Sequence, residues 1–210
     1  MRVRIVFSKT AAMRFTGHLD LHRTLERTMR RAELPLAYSE GFTPRPKLQL
    51  ASALPLGFTS EAEVADFWLK EEIPMDQLES AFIAAQPPGV RLHSAEELPL
   101  DAPKLQVTLQ SAEYQITFPA SEPLLDQRIA QLLKSERVII EKVKKGKKKS
   151  VDIRPLIKEI HLSTPKTEQP VLRMILKAEE GATGRPDDVL TAMGLDPLEA
   201  EIHRTELIFA

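Results

Sequence analysis

Arg2-Val3-Arg4-Ile5-Val6-Phe7-Ser8 alternates polar and apolar side chains over most of its length, the pattern of a half-buried strand. The repeat then changes. Between His18 and Ala32 the apolar residues Leu21, Leu25, Met29 and Ala32 recur at helical spacing, which predicts an amphipathic helix. Residues 36–39 and 47–53 are expected as short strands around a Gly/Pro-rich loop, and Ala62–Leu69 as a further strand. Met75–Gln86 reads as a second helix that stops at Pro87-Pro88-Gly89, before a strand that opens at Val90. With the short segments counted as one strand, the order is β-α-β-β-α-β, the split βαβ or ferredoxin-like pattern.

The order then recurs. Pro99 and Pro103 make Leu98–Pro103 stiff and non-helical, within a linker expected over residues 98–110. Beyond it come a strand at Ala112–Phe118, a helix at Leu124–Leu133, and strands at Arg137–Val143 and Val151–Leu162 on either side of a basic turn. A strand at Val171–Lys177, a helix at Pro186–Met193 and a last strand at Ile202–Phe209 complete the chain. Both halves end in a helix, a Gly-containing break and a strand bearing a histidine, His93 or His203. The expectation is an α+β protein of two small ferredoxin-like units with antiparallel sheets, over residues 1–97 and 111–210, possibly related by duplication.

Composition limits the chemistry. The 210 residues hold no cysteine, so neither a disulfide framework nor a thiolate metal site nor a Cys-held iron–sulfur cluster can be built from this chain alone. The N-terminus lacks the pattern of a signal peptide and no apolar run has membrane-spanning length, which gives a cytoplasmic expectation with no membrane partner. The net charge of −1 conceals blocks: residues 1–50 carry +6 and residues 51–100 carry −7. No Gly-rich phosphate loop, dinucleotide fingerprint or nucleophile elbow is present.

Three stretches are candidates for binding. In the first helix Arg23, Arg27, Arg30 and Arg31 lie opposite the apolar stripe, where guanidinium forks suit phosphate oxygens; a solvated face is the competing reading. In the loop Tyr38-Ser39-Glu40-Gly41-Phe42-Thr43-Pro44-Arg45-Pro46-Lys47, Phe42 offers a ring for stacking, and Arg45 and Lys47 offer charge; the competing reading is that Tyr38 and Phe42 only anchor the loop to the core. Between Arg137 and Lys158 nine basic residues face two acidic ones. Lys142, Lys144, Lys145, Lys147, Lys148 and Lys149 would clamp a backbone, aided by Arg154, or would simply protect a sheet edge. His18, Asp20, Tyr38, Ser39 and Glu40 form a possible small-molecule pocket. His18 and His22 sit four residues apart, but Asp20 projects elsewhere, so no metal or other cofactor is expected.

At these residues the chain resembles the radical SAM-linked protein family, a bacterial domain of unknown function. The likeness rests on His18-Leu19-Asp20, Arg23, Arg30-Arg31-Ala32, the run from Leu34 to Phe42, Pro44, Pro46-Lys47 and Leu54-Pro55-Leu56-Gly57. It is looser toward Asp152-Ile153-Arg154-Pro155. The sequence departs from the usual pattern at Gly17, where Ser is common, and at Arg45, where His is common. The resemblance implies a radical S-adenosylmethionine protein as partner and supplies no catalytic residue. Together these readings point to a non-catalytic accessory module that binds RNA, tRNA or rRNA, and works with such an enzyme. The alternatives are a protein-docking module that uses the acidic block Glu61–Glu79 or the basic faces, and a small enzyme built around His18, Tyr38, Ser39 and Glu40.

Overall fold

The computed structural model describes residues 1–119, 124–144, 147–163 and 171–210, and the side chains of all of these but Val143, Lys144 and Lys147. The chain divides into two compact units, Met1–Leu109 with Ala210, and Gln110–Phe209.

In the first unit, β1 (Arg2–Lys9) is followed by α1 (His18–Arg31), β2 (Leu48–Leu50), β3 (Thr59–Trp68), α2 (Met75–Ala85), β4 (Val90–Leu98) and a helical turn, α3 (Leu105–Thr108). The strands lie in the order β2-β3-β1-β4, and every pairing is antiparallel. This is the split βαβ order, in which β1 runs between the strands that follow it. The register places Ile5 beside Ala65 on one side and Ala95 on the other. One face of β1 (Val3, Ile5 and Phe7) packs into the core with Leu21, Leu25 and Met29 of α1 and Leu78 and Phe82 of α2.

The other face of β1 departs from the half-buried strand expected of it, because Arg2 is also buried. Arg4 lies directly opposite Asp66 and Arg2 opposite Trp68. Asp66, wholly buried, accepts from Arg2 Nη2 at 2.6 Å and Nε at 3.2 Å, and from Arg4 Nε at 2.8 Å and Nη2 at 3.1 Å. The Arg2 guanidinium also stands 5.1 Å from the Trp68 ring centre and donates to the carbonyls of Ala102 and Pro103. Those last bonds tie the proline-rich segment to the sheet. Next to it, the α3 residue Leu105 is fully buried.

Residues 36–39 do not form the strand expected of them. Only the isolated bridges Leu36–Leu69 and Tyr38–Pro46 form, because Pro35, Pro44 and Pro46 have no N–H to extend a ladder.

The second unit contains β5 (Leu109–Thr117), α4 (Leu125–Lys134), β6 (Ile139–Lys144), β7 (Lys147–Asp152), β8 (Ile157–Ser163), β9 (Val171–Glu179), β10 (Ala182–Thr183), α5 (Pro186–Ala192) and β11 (Glu201–Phe209). Its strands run β8-β9-β5-β11, with β10 turned back on β9 and β6–β7 forming a separate hairpin. The order repeats that of the first unit. This is a likeness of topology, and duplication stays an expectation from sequence. The single strand expected over Val151–Leu162 is two strands: β7 ends at Asp152 and β8 starts at Ile157. The break is a 3-10 turn at Arg154-Pro155-Leu156, where Pro155 cannot donate to a ladder.

Replacing Asp66 by Asn removes the carboxylate that the Arg2 and Arg4 guanidinium groups share, and breaking a buried pair costs about 3–5 kcal/mol. In urea titration, Asp66→Asn should lower the unfolding midpoint steeply, and Asp20→Asn, at an exposed pair with Arg23, should shift stability by about 0.5 kcal/mol or less. Equal effects of the two substitutions would refute the structural role given to Asp66.

Candidate functional site

The sequence brings Arg23 and Arg30 onto one exposed strip of α1, since residues 19, 22, 23, 26 and 30 fall within about 100° of arc at 3.6 residues per turn. The structure adds Arg45 to that strip. Leu19, His22, Arg23, Glu26, Arg30 and Arg45 line a groove of about 450 Å³. Two stretches read separately from the sequence therefore meet in one place.

Each arginine is positioned differently. Arg23 pairs with Asp20 at 3.4 Å, both about two-thirds exposed. Arg30 stands over the Tyr38 ring at 5.9 Å, with Lys70 5.6 Å from the same ring. Arg45 is held by its backbone: Ser39 N–H donates to the Arg45 carbonyl at 2.8 Å, and Arg45 N–H donates to Ser39 Oγ at 3.1 Å. These bonds close the loop between Ser39 and Arg45, with Gly41 at φ 131°, where a side chain would be strained, and Phe42 fully exposed beside it.

The remaining candidates disperse. Arg27 is exposed and outside the groove lining. Arg31 donates to the Ala85 carbonyl at the end of α2, so its guanidinium clamps two helices together. Lys47 is exposed, and its N–H donates to the Ala37 carbonyl at 2.8 Å. His18 and Asp20 belong to the first turn of α1, while Tyr38, Ser39 and Glu40 belong to the loop; none of the five lines the groove. Gly17 caps α1 without a side-chain hydrogen bond, as its departure from Ser implies. No cluster of three metal-ligating side chains occurs among the described residues.

Sequence reasoning missed Leu19, His22 and Glu26 as groove walls. Their spacing along α1 was the available signal. His22 is set by two contacts, Nε2 at 3.3 Å from the Leu48 carbonyl and Nδ1 at 3.4 Å from Glu26 Oε1. The acidic block is partly internal: Glu63 and Asp66 are buried, and Glu79 accepts the Ala95 N–H at 3.1 Å.

The basic hairpin β6–β7 pairs Lys142 with Lys149 and Lys144 with Lys147 across the ladder. Lys142 is engaged by Asp188 of α5 at 2.5 Å, and Lys148 by Glu141 at 3.2 Å, whereas Lys149 is exposed. Lys145 lies outside the described residues, as do the side chains of Lys144 and Lys147. Arg154 donates to the Leu133 carbonyl at 3.4 Å. Asp152 fastens the hairpin base, accepting from Val138 N–H at 2.9 Å, Arg154 N–H at 3.1 Å and Arg137 Nε at 3.2 Å.

A family model for uncharacterized proteins conserved in bacteria, DUF2344, matches residues 2–186. The chain belongs to this family. No curated protein matches it. Among solved structures it is similar to a chain of the crystal structure of a Cbf5-Nop10-Gar1 complex, at 11% identity and TM-score 0.50, over 98% of this chain and 48% of that one. A chain of the archaeal box H/ACA sRNP Nop10-Cbf5 complex is similar at 11% identity and TM-score 0.43, over 96% of this chain and 46% of that one. The DUF2344 chain thus spans about half the length of each, and likeness at this identity is one of fold. No helix among the described residues is long and apolar enough to cross a membrane.

Within this DUF2344 chain, Asp-Ile-Arg-Pro acquires a physical role. The Val138 N–H first, then the Arg154 N–H and the Arg137 guanidinium, hold the Asp152 carboxyl below its ordinary value of 3.8. A lowered carboxylate pKa adds stability at pH above the ordinary value, and that contribution is lost as the pH falls through the lowered one. In NMR titrations the Val138 and Arg154 amide protons should therefore shift with a midpoint below 3.8, and Asp152→Asn should abolish the transition. A midpoint at or above 3.8 would contradict this arrangement.

Proposed function

We propose that this chain is a non-catalytic accessory module of the bacterial cytoplasm that binds RNA, tRNA or ribosomal RNA, and presents it to a radical S-adenosylmethionine enzyme. The observation that carries the RNA reading is the convergence of Arg23 and Arg30 from α1 with Arg45 from the loop on one groove. Guanidinium groups are suited to phosphate oxygens by their planar, paired donors. Phe42 supports the same reading, because an exposed ring beside a cationic loop is a stacking platform, worth about 1–3 kcal/mol per base. Lys149, in the second unit, offers a further exposed cation, with Lys142 a lesser contributor because Asp188 already neutralises it.

The enzyme partner is supported by the resemblance and by chemistry. These 210 residues hold no cysteine, so a Cys-held cluster would have to be supplied from outside them.

Fluorescence anisotropy with labelled bulk small RNA across a salt series tests this reading. Wild type should bind with a steep negative salt dependence. Replacing Arg23, Arg30 and Arg45 together by Gln should flatten the log–log slope by about 2, from about 0.7 for each single-strand phosphate contact. Phe42→Ala should weaken binding and leave the slope unchanged. Absence of binding at low salt would overturn the proposal.

A further inference from the structure

We infer that the groove between α1 and the Ser39–Arg45 loop is a site for a phosphomonoester, carried on the end of a strand or on a free nucleotide; this deepens the RNA reading and rests on it. Charge is the first reason. In the lining Arg23, Arg30 and Arg45 outnumber the one carboxylate, Glu26, by two, and Asp20 stands beside Arg23 outside the lining. A backbone phosphodiester carries one negative charge, whereas a phosphomonoester carries about 1.5 to 2 at neutral pH and presents three acceptor oxygens. Three guanidinium groups suit the second.

Size points the same way. A groove of about 450 Å³ has the volume of a small-molecule site, and duplex-RNA readers instead spread over roughly 16 base pairs. Leu19, largely exposed at the groove wall, offers apolar contact to the attached sugar or base.

The cations are placed without being consumed. The exposed Arg23–Asp20 pair at 3.4 Å is worth little in water and exchanges readily for a stronger acceptor. Arg30 stands 5.9 Å from the Tyr38 ring centre, a contact with the ring that uses none of its N–H donors. A second groove, of about 520 Å³ in the other unit, contrasts with this one. Its Arg128 donates to the Met193 and Gly194 carbonyls and its Arg137 to Asp152.

The test uses the full chain and one short single-stranded RNA, internally labelled, with a 5′-phosphate, a 3′-phosphate or hydroxyls at both ends. One phosphorylated form should bind about tenfold or more tightly than the hydroxyl form, as charge-assisted pairing predicts. That preference should vanish in Arg30→Gln and Arg45→Gln, whose thermal melts should match wild type, and persist in Lys149→Gln. Equal affinity of all three strands overturns the inference and leaves the RNA reading standing. If no strand binds at low salt, the RNA reading falls. Calorimetry with adenosine monophosphate then decides the site: binding lost in Arg45→Gln keeps the phosphomonoester assignment with a nucleotide as its source, and no binding overturns it.

Discussion

The first unit is organised around a carboxylate that has nowhere to go. Asp66 is wholly buried on the central strand β3, and the Arg2 and Arg4 guanidinium groups satisfy it from the neighbouring β1. Replacing such a cluster with apolar side chains is often neutral or stabilising, so its value is not simply energy. Its value is register. A one-residue slip of β3 against β1 would turn Asp66 toward the face that holds Val3, Ile5 and Phe7, away from the Arg2 and Arg4 guanidinium groups. Pairing Arg4 opposite Asp66 makes one alignment far better than its neighbours.

That alignment carries through to the groove. The end of β3 holds the loop, since Ala37 N–H donates to the Trp68 carbonyl at 2.8 Å and Trp68 N–H to the Lys47 carbonyl at 3.1 Å. The loop in turn closes on itself through Ser39 and Arg45. On the other wall, α1 is fixed by Leu21, Leu25 and Met29 in the core and by His22 against the Leu48 carbonyl of β2. The relative placement of the backbone at Arg23, Arg30 and Arg45 is therefore a consequence of β-sheet pairing.

The elements were legible where periodicity was strong. β1, α1, α2 and β9 follow from the spacing of apolar residues, and the strand order of the first unit follows from the succession of elements. Local chemistry blurred the rest. Prolines at 35, 44 and 46 turned an apparent strand into two bridges, and Pro155 divided another. Arg2, Arg4 and Asp66 were invisible as a cluster, because charged residues on an alternating strand read as solvent-facing until a partner strand supplies the opposite charge. The groove was half legible: Arg23, Arg30 and Arg45 were identifiable as cations, but their meeting depended on a loop path that no local pattern specifies. The lysine hairpin looked stronger in sequence than in three dimensions, where Asp188 and Glu141 engage two of its lysines.

Mapping the contact surface directly addresses the central claim, that the α1–loop groove is where nucleic acid meets this chain. Ultraviolet cross-linking of the full chain to bound small RNA, followed by peptide mass spectrometry, reads that surface by residue. The account predicts adducts on the segment from Tyr38 to Lys47, centred on Phe42, with further adducts on the hairpin. RNA bound with adducts confined to other segments, and none between Tyr38 and Lys47, would contradict it.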